Sequence, residues 1–310
     1  MKFFIMGANG FIGRNLTKYL LSQGHKVIGL IRDKKKADAL PPECEIVIGN
    51  PLKEGSWQKK AVQTDVIVNL VGKNIFTRWT DKAKREIYFT RIESTKQAVN
   101  CLNKMKENGV LINGNAIGYY GVSRKEILKE DSPPGNDFLA KVCLDWQNIA
   151  LSKADKLKRV VIARIAPVLG RDGGMISKIL PIFKLGLGGK LGSGKQPFCW
   201  IHILDLVRAF EFIAQKKNIN GPVNITSPHI ITNHDFTKIL GELLSRPTFF
   251  SVPTIFLRIL FKDLADVMTK GSKVFPDVLI KEGFEFKFPN LKEALKEILK
   301  EETNRGCVVV

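Results

Sequence analysis

Cysteine, histidine and tyrosine are scarce in this 310-residue chain, and acidic residues fall well short of basic ones. The five cysteines, Cys44, Cys101, Cys143, Cys199 and Cys307, are odd in number and contain no Cys-x-x-Cys pair. That excludes a disulfide framework and a zinc ribbon. The four histidines are dispersed, with no pair at ligand spacing on a helix, so no metal centre is expected. No apolar run approaches the ~20 residues of a membrane helix. The apolar start Met1–Met6 breaks at Gly7, Asn9 and Gly10, too early for a signal peptide. A cytoplasmic protein with no integral membrane segment is expected. Cys307-Val308-Val309-Val310 fits the C-a-a-X pattern, which leaves prenylation at Cys307 as a minor alternative.

The acidic deficit is large. Lys+Arg 49 against Asp+Glu 30 gives a formal charge of +19. Lys34-Lys35-Lys36 is the only run of three, and no basic stretch is interleaved with aromatics. No nucleic-acid partner is expected on that pattern. Most of the charge reads as a lysine-rich surface with a local excess around an anionic ligand. A binder of anionic surfaces has only composition behind it. At 44% hydrophobic residues the chain can bury a full core, which excludes disorder.

Short β-branched runs alternate with amphipathic stretches through the first half. Strands are expected at 2–6, 26–31, 44–48, 65–70, 110–113 and 159–165, and helices at 11–22, 81–108 and 137–154. This rhythm predicts an α/β protein with a doubly wound parallel sheet, the Rossmann fold. After Ile165 two Gly-rich loops, 170–174 and 186–194, flank a short apolar helix. Residues 204–215 return to helix, and 222–226 form the expected last strand. Beyond His229 the pattern is mostly helical, with 249–252 and 285–288 as further short strands. The expected division is a nucleotide-binding domain over 1–228 and a smaller C-terminal α+β substrate lobe over 229–310, to which 166–200 contribute.

Gly7-Ala8-Asn9-Gly10-Phe11-Ile12-Gly13 follows the first strand and opens the first helix, the context of a dinucleotide fingerprint. Its Gly-x-x-Gly-x-x-Gly spacing differs from the Gly-x-Gly-x-x-Gly of most dehydrogenases. Glycine permits the sharp turn and lets a pyrophosphate approach the backbone, where the helix start offers free N–H groups. The second strand ends at Ile31 and runs into Arg32, Asp33 and Lys34–Lys36. A guanidinium suits a 2′-phosphate, so NADP(H) is the expected cofactor; Asp33 is the residue that would instead serve NAD. Leu70 and Val71, at the carboxyl edge of the sheet, are placed to line the adenine ribose. Ala166, just past the sixth strand, is placed to meet the nicotinamide.

With these residues in view the chain resembles the YfcH-type epimerase-family proteins, an atypical branch of the extended short-chain dehydrogenase/reductase superfamily. The resemblance spans nearly the full length. Beyond the glycine loop it is carried by Val68-Asn69-Leu70-Val71-Gly72, Arg78-Trp79-Thr80 and Gly118-Tyr119-Tyr120-Gly121. It continues through residues 183–189, Trp200-Ile201-His202-Ile203-Leu204-Asp205, Gly221–Pro228 and Gly283-Phe284-Glu285-Phe286. It implies NADP(H) binding in a fold like that of nucleotide-sugar epimerases. It also places Arg91 where the extended family carries Asn, either to reach the cofactor or as a solvated charge beside Glu93.

The superfamily's catalytic pattern is a Tyr-x-x-x-Lys pair with a Ser or Thr from the fifth strand. The resemblance puts Asn115 at the Ser position and Lys141 at the lysine, which would also hold the cofactor ribose. Four residues before Lys141 stands Asp137, followed by Phe138, so the tyrosine is missing. Tyr119, Tyr120 or a desolvated Asp137 could replace it. Against these stand core packing for the tyrosines and a helix N-cap for Asp137. His202 reads as a structural hydrogen-bonding residue. The expected function is an NADP(H)-binding oxidoreductase or epimerase-like enzyme acting on a carbonyl or sugar-type small molecule. The alternative is a sensor or scaffold that keeps the nucleotide site without catalysis. A homodimer through the helices at 81–108 and 137–154 is expected by analogy.

Overall fold

The computed structural model describes residues 1–123 and 125–305, so the Cys307 terminus lies outside the described residues. Seven parallel strands form the central sheet: β1 (Lys2–Met6), β2 (Lys26–Ile31), β3 (Glu45–Ile48), β4 (Val66–Asn69), β5 (Val110–Ala116), β6 (Arg159–Ile165) and β7 (Gly221–Ile225). Their order across the sheet is β7-β6-β5-β4-β1-β2-β3. The direction of winding reverses between β1 and β4, the switch point at which open α/β sheets leave a crevice.

The strands are apolar throughout because both faces are covered. In β1, Phe3 and Ile5 face the layer built from α1 (Phe11–Ser22) and α5 (Ile203–Gln215) through Leu16, Leu20, Leu206 and Phe210. Phe4 and Met6 face α2 (Asp81–Lys104) and α3 (Phe138–Lys153) through Ala98, Leu102 and Ala150. Burying one such side chain contributes about 1.5–3 kcal/mol, so the two faces of β1 alone anchor the sheet centre. The helix starts are set locally. Thr80 accepts from Ala83 N to begin α2, and Asp137 Oδ1 accepts from Ala140 N at 2.9 Å to begin α3.

The structure departs from the expected elements where tertiary contacts compete. The helix expected to run to 108 stops at Lys104, and Gly109 N turns back to Lys106 O. β5 runs three residues past the expected 113, because its register with β6 continues through Asn115↔Arg164 and Ala116↔Ile165. No strand forms at 285–288. There the N–H groups of Lys287 and Phe288 donate to the two carboxylate oxygens of Asp205, at 2.7 and 2.8 Å, instead of to a neighbouring strand.

A second core joins the stretch after β6 to the C-terminal helices. Leu169, Phe183 and Trp200 pack with Phe236 and Leu240 of α6 (Asn233–Leu244) and with Leu291 and Leu295 of α9 (Leu291–Arg305). Phe183 belongs to α4 (Ile176–Lys184), the expected short apolar helix. A smaller cluster of Trp79, Phe138, Leu139, Val142 and Leu264 ties α3 to α7 (Thr254–Phe261) and α8 (Leu264–Thr269), with Phe261 packed against it.

Asp205 is fully buried and is the pin between α5 and the C-terminal segment. Asp205→Ala would leave two backbone donors without acceptors and should lower the unfolding free energy by about 3 kcal/mol. Urea denaturation should show this as a lower midpoint at unchanged slope.

Candidate functional site

The turn after β1 is built around contacts that only glycine allows. Gly7 has φ +82°, and its N–H, like that of Ala8, donates to Leu30 O at the end of β2. A Cβ on Gly13 would lie 2.4 Å from Gly7 O and 2.7 Å from Ala8 O, so α1 sits directly on the loop. Gly10 caps α1 with no side-chain bond, and the N–H groups of Phe11, Ile12 and Gly13 have no carbonyl partner among the described residues. These donors and the helix dipole point out of the sheet edge and favour an anion. Phe11 packs against a second glycine turn, where a Cβ on Gly173 would come 2.5 Å from its ring. Arg14 Nη2 reaches Asp172 O in the same turn at 3.1 Å. Asn9 is half-buried beside the crevice.

Across the switch point, Leu70 backs the loop: a Cβ on Gly7 would lie 3.4 Å from its carbonyl. The turn Asn69–Val71 is held from below by a buried polar knot. Asn69 Nδ2 donates to Asn113 Oδ1 at 2.9 Å and to Thr95 Oγ1 at 3.2 Å, while Asn69 Oδ1 accepts from Val71 N. Trp146 Nε1 donates to the same Thr95 hydroxyl at 2.7 Å.

Two cations border this crevice without acidic partners among the described residues. Arg32, exposed just past β2, makes no side-chain hydrogen bond or ion pair among the described residues. Asp33 is spent as the cap of a 3-10 helix over Lys34–Ala39, accepting from Lys35 N at 3.0 Å. Ile31 is a core residue whose carbonyl accepts from Gly49 N. Arg91 lies over the Trp146 ring at 5.2 Å and donates from Nη1 to Lys73 O and Ile87 O, each at 3.0 Å. Its neighbour Glu93 pairs with Lys96 at 2.8 Å. Burial pulls the Arg91 pKa below the ordinary arginine value.

At the carboxyl end of the sheet a polar row crosses three strands: Asn115, Arg164 and Asn224 are register neighbours on β5, β6 and β7. Arg164 is 1% exposed. Its Nη1 donates to Tyr120 Oη at 2.7 Å and Glu130 O at 3.0 Å, and its Nη2 to Gln147 Oε1 at 2.8 Å. Its guanidinium carbon stands 3.5 Å from the centre of the Tyr119 ring. Tyr120 donates onward to Asn224 Oδ1 at 2.7 Å, and burial pushes its pKa up to about 12. Glu130 is buried too, accepting from the backbone N–H of Asn224 and Val278.

Against known protein families, residues 3–226 match the NAD dependent epimerase/dehydratase family, and residues 252–298 match a domain of unknown function, DUF1731. The chain belongs to the NAD dependent epimerase/dehydratase family. It is 38% identical, over 95% of its length and 86% of the relative's, to the chloroplastic SDR39U1 homolog of Arabidopsis thaliana. It is 32% identical to the epimerase family protein YfhF of Bacillus subtilis, over 96% of this chain and 98% of that one. The human epimerase family protein SDR39U1, solved with NADPH, superposes with a TM-score of 0.86 at 30% identity and covers 97% of this chain and 99% of its own. The Thermotoga maritima UDP-glucose 4-epimerase shares the fold alone, with a TM-score of 0.80 at 18% identity over 98% of this chain and 99% of that one.

The expected catalytic residues are only partly brought together. Asn115 is buried beside α3, but its amide is engaged: Nδ2 donates to Cys143 O at 3.0 Å and Oδ1 accepts from Ala116 N at 2.7 Å. Lys141 points away, with 73% of its side chain exposed and Nζ on Asp145 at 3.1 Å. Leu139, Ala140, Val142 and Cys143 around it are all buried. Asp137 is the helix cap. Tyr120 is locked in the Arg164 row, whereas the Tyr119 hydroxyl has no hydrogen-bond partner among the described residues. Ala166 is buried next to the row, with its N–H on Ile225 O. His202 is a structural residue: Nδ1 accepts from Leu204 N and Nε2 meets Glu297 at 2.9 Å. Sequence reasoning missed Arg164, Glu130 and Asn224; the available signal was a lone arginine inside the apolar run of β6.

Tyr120→Phe should cost about 1–3 kcal/mol of stability, because Arg164 and Asn224 each lose a buried partner. Tyr119→Phe should change stability by less than about 0.5 kcal/mol. Parallel urea unfolding of the two variants checks the contrast.

Proposed function

We propose that the protein is an NADPH-dependent oxidoreductase of epimerase-like kind, acting on a carbonyl or sugar-type small molecule. The open N-terminus of α1, with Gly13 seated on the carbonyls of Gly7 and Ala8, carries the reading. A cradle this tight fits a pyrophosphate and would be filled by any side chain. The NADPH-bound human relative supports the same cofactor here.

On this reading the N–H groups of Phe11, Ile12 and Gly13 hold the pyrophosphate, with Gly7, Asn9 and Gly10 shaping the turn. Arg32 takes the 2′-phosphate, its fork unclaimed by any carboxylate. Main-chain groups of Ile31, Leu70 and Val71 border the adenine side, and Arg91 adds a second positive charge with no acidic partner. Ala166 borders the nicotinamide side. The bound nicotinamide supplies or accepts a hydride. Tyr119 handles the accompanying proton, since its hydroxyl has no hydrogen-bond partner among the described residues and its ring lies against the Arg164 guanidinium. Asn115, its amide engaged with α3, shapes the end of β5, and Lys141 stays outside the site, paired with Asp145. The four described cysteines are free and buried, which supports a reducing cytoplasmic setting. Exposed Phe89 and Leu151 on α2 and α3 support homodimer pairing there.

One observation favours a second reading. Asp137 stands where the superfamily has its tyrosine and is used as the cap of α3, and the Asn115 amide is already engaged. These suit an NADP(H)-binding sensor or scaffold without turnover.

NADPH should bind more tightly than NADH, and Arg32→Ala should weaken NADPH roughly ten- to hundred-fold while leaving NADH unchanged. Calorimetric titration checks this; equal affinities for the two nucleotides would sink the cofactor assignment. With a turned-over aldehyde, ketone or keto-sugar in hand, Tyr119→Phe should lower turnover on the order of 10²-fold at unchanged NADPH affinity. NADPH binding without hydride transfer to any such substrate would select the sensor.

A further inference from the structure

The outer face of the C-terminal lobe carries an apolar surface that no element among the described residues covers. In α7, Ile255, Phe256, Ile259 and Leu260 form one side of the helix, and each is about 60% exposed, whereas Leu257 on the other side is 5% exposed. Phe249, 90% exposed, and Phe250, which opens the strand Phe250–Val252 leading into α7, continue the patch. That strand pairs in parallel with Gly189–Leu191, Gly189 opposite Phe250, and so places the exposed Leu185 and Leu187 alongside. A Cβ on Gly186 would touch Pro247, which closes the gap between the two segments.

Charge is distributed unevenly around this patch. Residues 182–190 and 246–262 contain Lys184, Lys190, Arg246, Arg258 and Lys262, and no acidic residue. Next to Phe249 lies a cleft of 390 Å³ lined by Lys190, His234, Thr237, Lys238 and Thr248. Of the nearest acids, Asp235 is committed to its capping box with Thr232 and Asp263 to Lys84, while Asp266 pairs with Arg258 of the patch and with Lys270. Exposed Phe, Ile and Leu ringed by cations is the composition of a surface that lies in a lipid interface. A second copy on this patch would set its cations against their own duplicates, which opposes self-association there. No helix among the described residues is long and apolar enough to cross a membrane, and the eight residues of α7 are too few to span one.

We propose that this face docks the protein peripherally on an anionic lipid bilayer, with α7, Phe249 and Phe250 entering the headgroup boundary. Lys190 and Lys238 then meet lipid phosphate at the adjoining cleft. This surface is independent of the dinucleotide crevice and does not rest on the proposed function.

Co-sedimentation with phosphatidylglycerol vesicles and with phosphatidylcholine vesicles tests it. The full chain should pellet with the anionic vesicles at low ionic strength, weakly or not at all with the neutral ones, and less as salt rises. The double variant Phe249→Ser/Phe256→Ser should lower the partition coefficient roughly ten-fold or more. Lys190→Glu/Lys238→Glu should weaken binding to anionic vesicles with thermal unfolding unchanged, since both lysines line the open cleft. A tryptophan reporter, Phe256→Trp, should shift its emission to the blue when anionic vesicles are added. No binding to either vesicle overturns the proposal, as does binding that the serine double variant leaves intact. A concentration-dependent dimer in analytical ultracentrifugation that the same variant abolishes also overturns it, in favour of a second copy of the chain.

Discussion

A positively charged guanidinium sits inside the sheet, and much of the fold is arranged to keep it there. Desolvating Arg164 without partners would cost several kcal/mol, more than a large share of a domain's net stability. The cost is offset by acceptors from widely separated parts of the chain: the Tyr120 hydroxyl oxygen after β5, the Glu130 carbonyl, and the Gln147 amide oxygen on α3. Tyr120 in turn requires Asn224 on β7, and Glu130 requires the backbone of Val278. Both ends of the network are therefore fixed only when the last strand and the C-terminal segment are in place. The same guanidinium lies against the Tyr119 ring, so the one unpartnered tyrosine hydroxyl of the row stands beside a positive charge.

The dinucleotide crevice obeys a related rule, in which acids are withdrawn so that cations stay free. Asp33 follows Arg32 directly and could neutralise it, but the 3-10 helix uses its carboxylate as a cap. Glu93 lies two residues from Arg91 and is taken by Lys96. With the bare start of α1 between them, the crevice gathers positive potential. The large net charge thus divides into small, placed excesses and a surplus on the outer lobe.

Several elements were legible from local pattern. The glycine spacing, the continuous apolar strands and the amphipathic α1 identify a doubly wound sheet, because both faces of each strand must be apolar and the first turn must admit an anion. The N-cap role of Asp137 is a one-turn matter and follows from its position before Phe138. Lys141 shows the limit. Spacing from the family pattern puts it in the site, but Leu139 and Val142 occupy the buried side of that helical turn, and the lysine is left outside with Asp145. Residues 285–288 alternate like a strand, and only the position of Asp205, some eighty residues earlier, removes their backbone donors from any sheet.

The sequence by itself determined the class of fold, the glycine turn after β1 and the cation at the end of β2, since each depends on residues within a few positions of one another. Tertiary structure alone decided which polar groups are spent and which remain available. Arg164 meets Tyr120 and Glu130 by strand register and chain return, Asn115 gives its amide to α3, and Tyr119 is left with a free hydroxyl. Hydrogen-bond satisfaction in a buried interior is settled by every group that arrives there, so it cannot be read from any single segment.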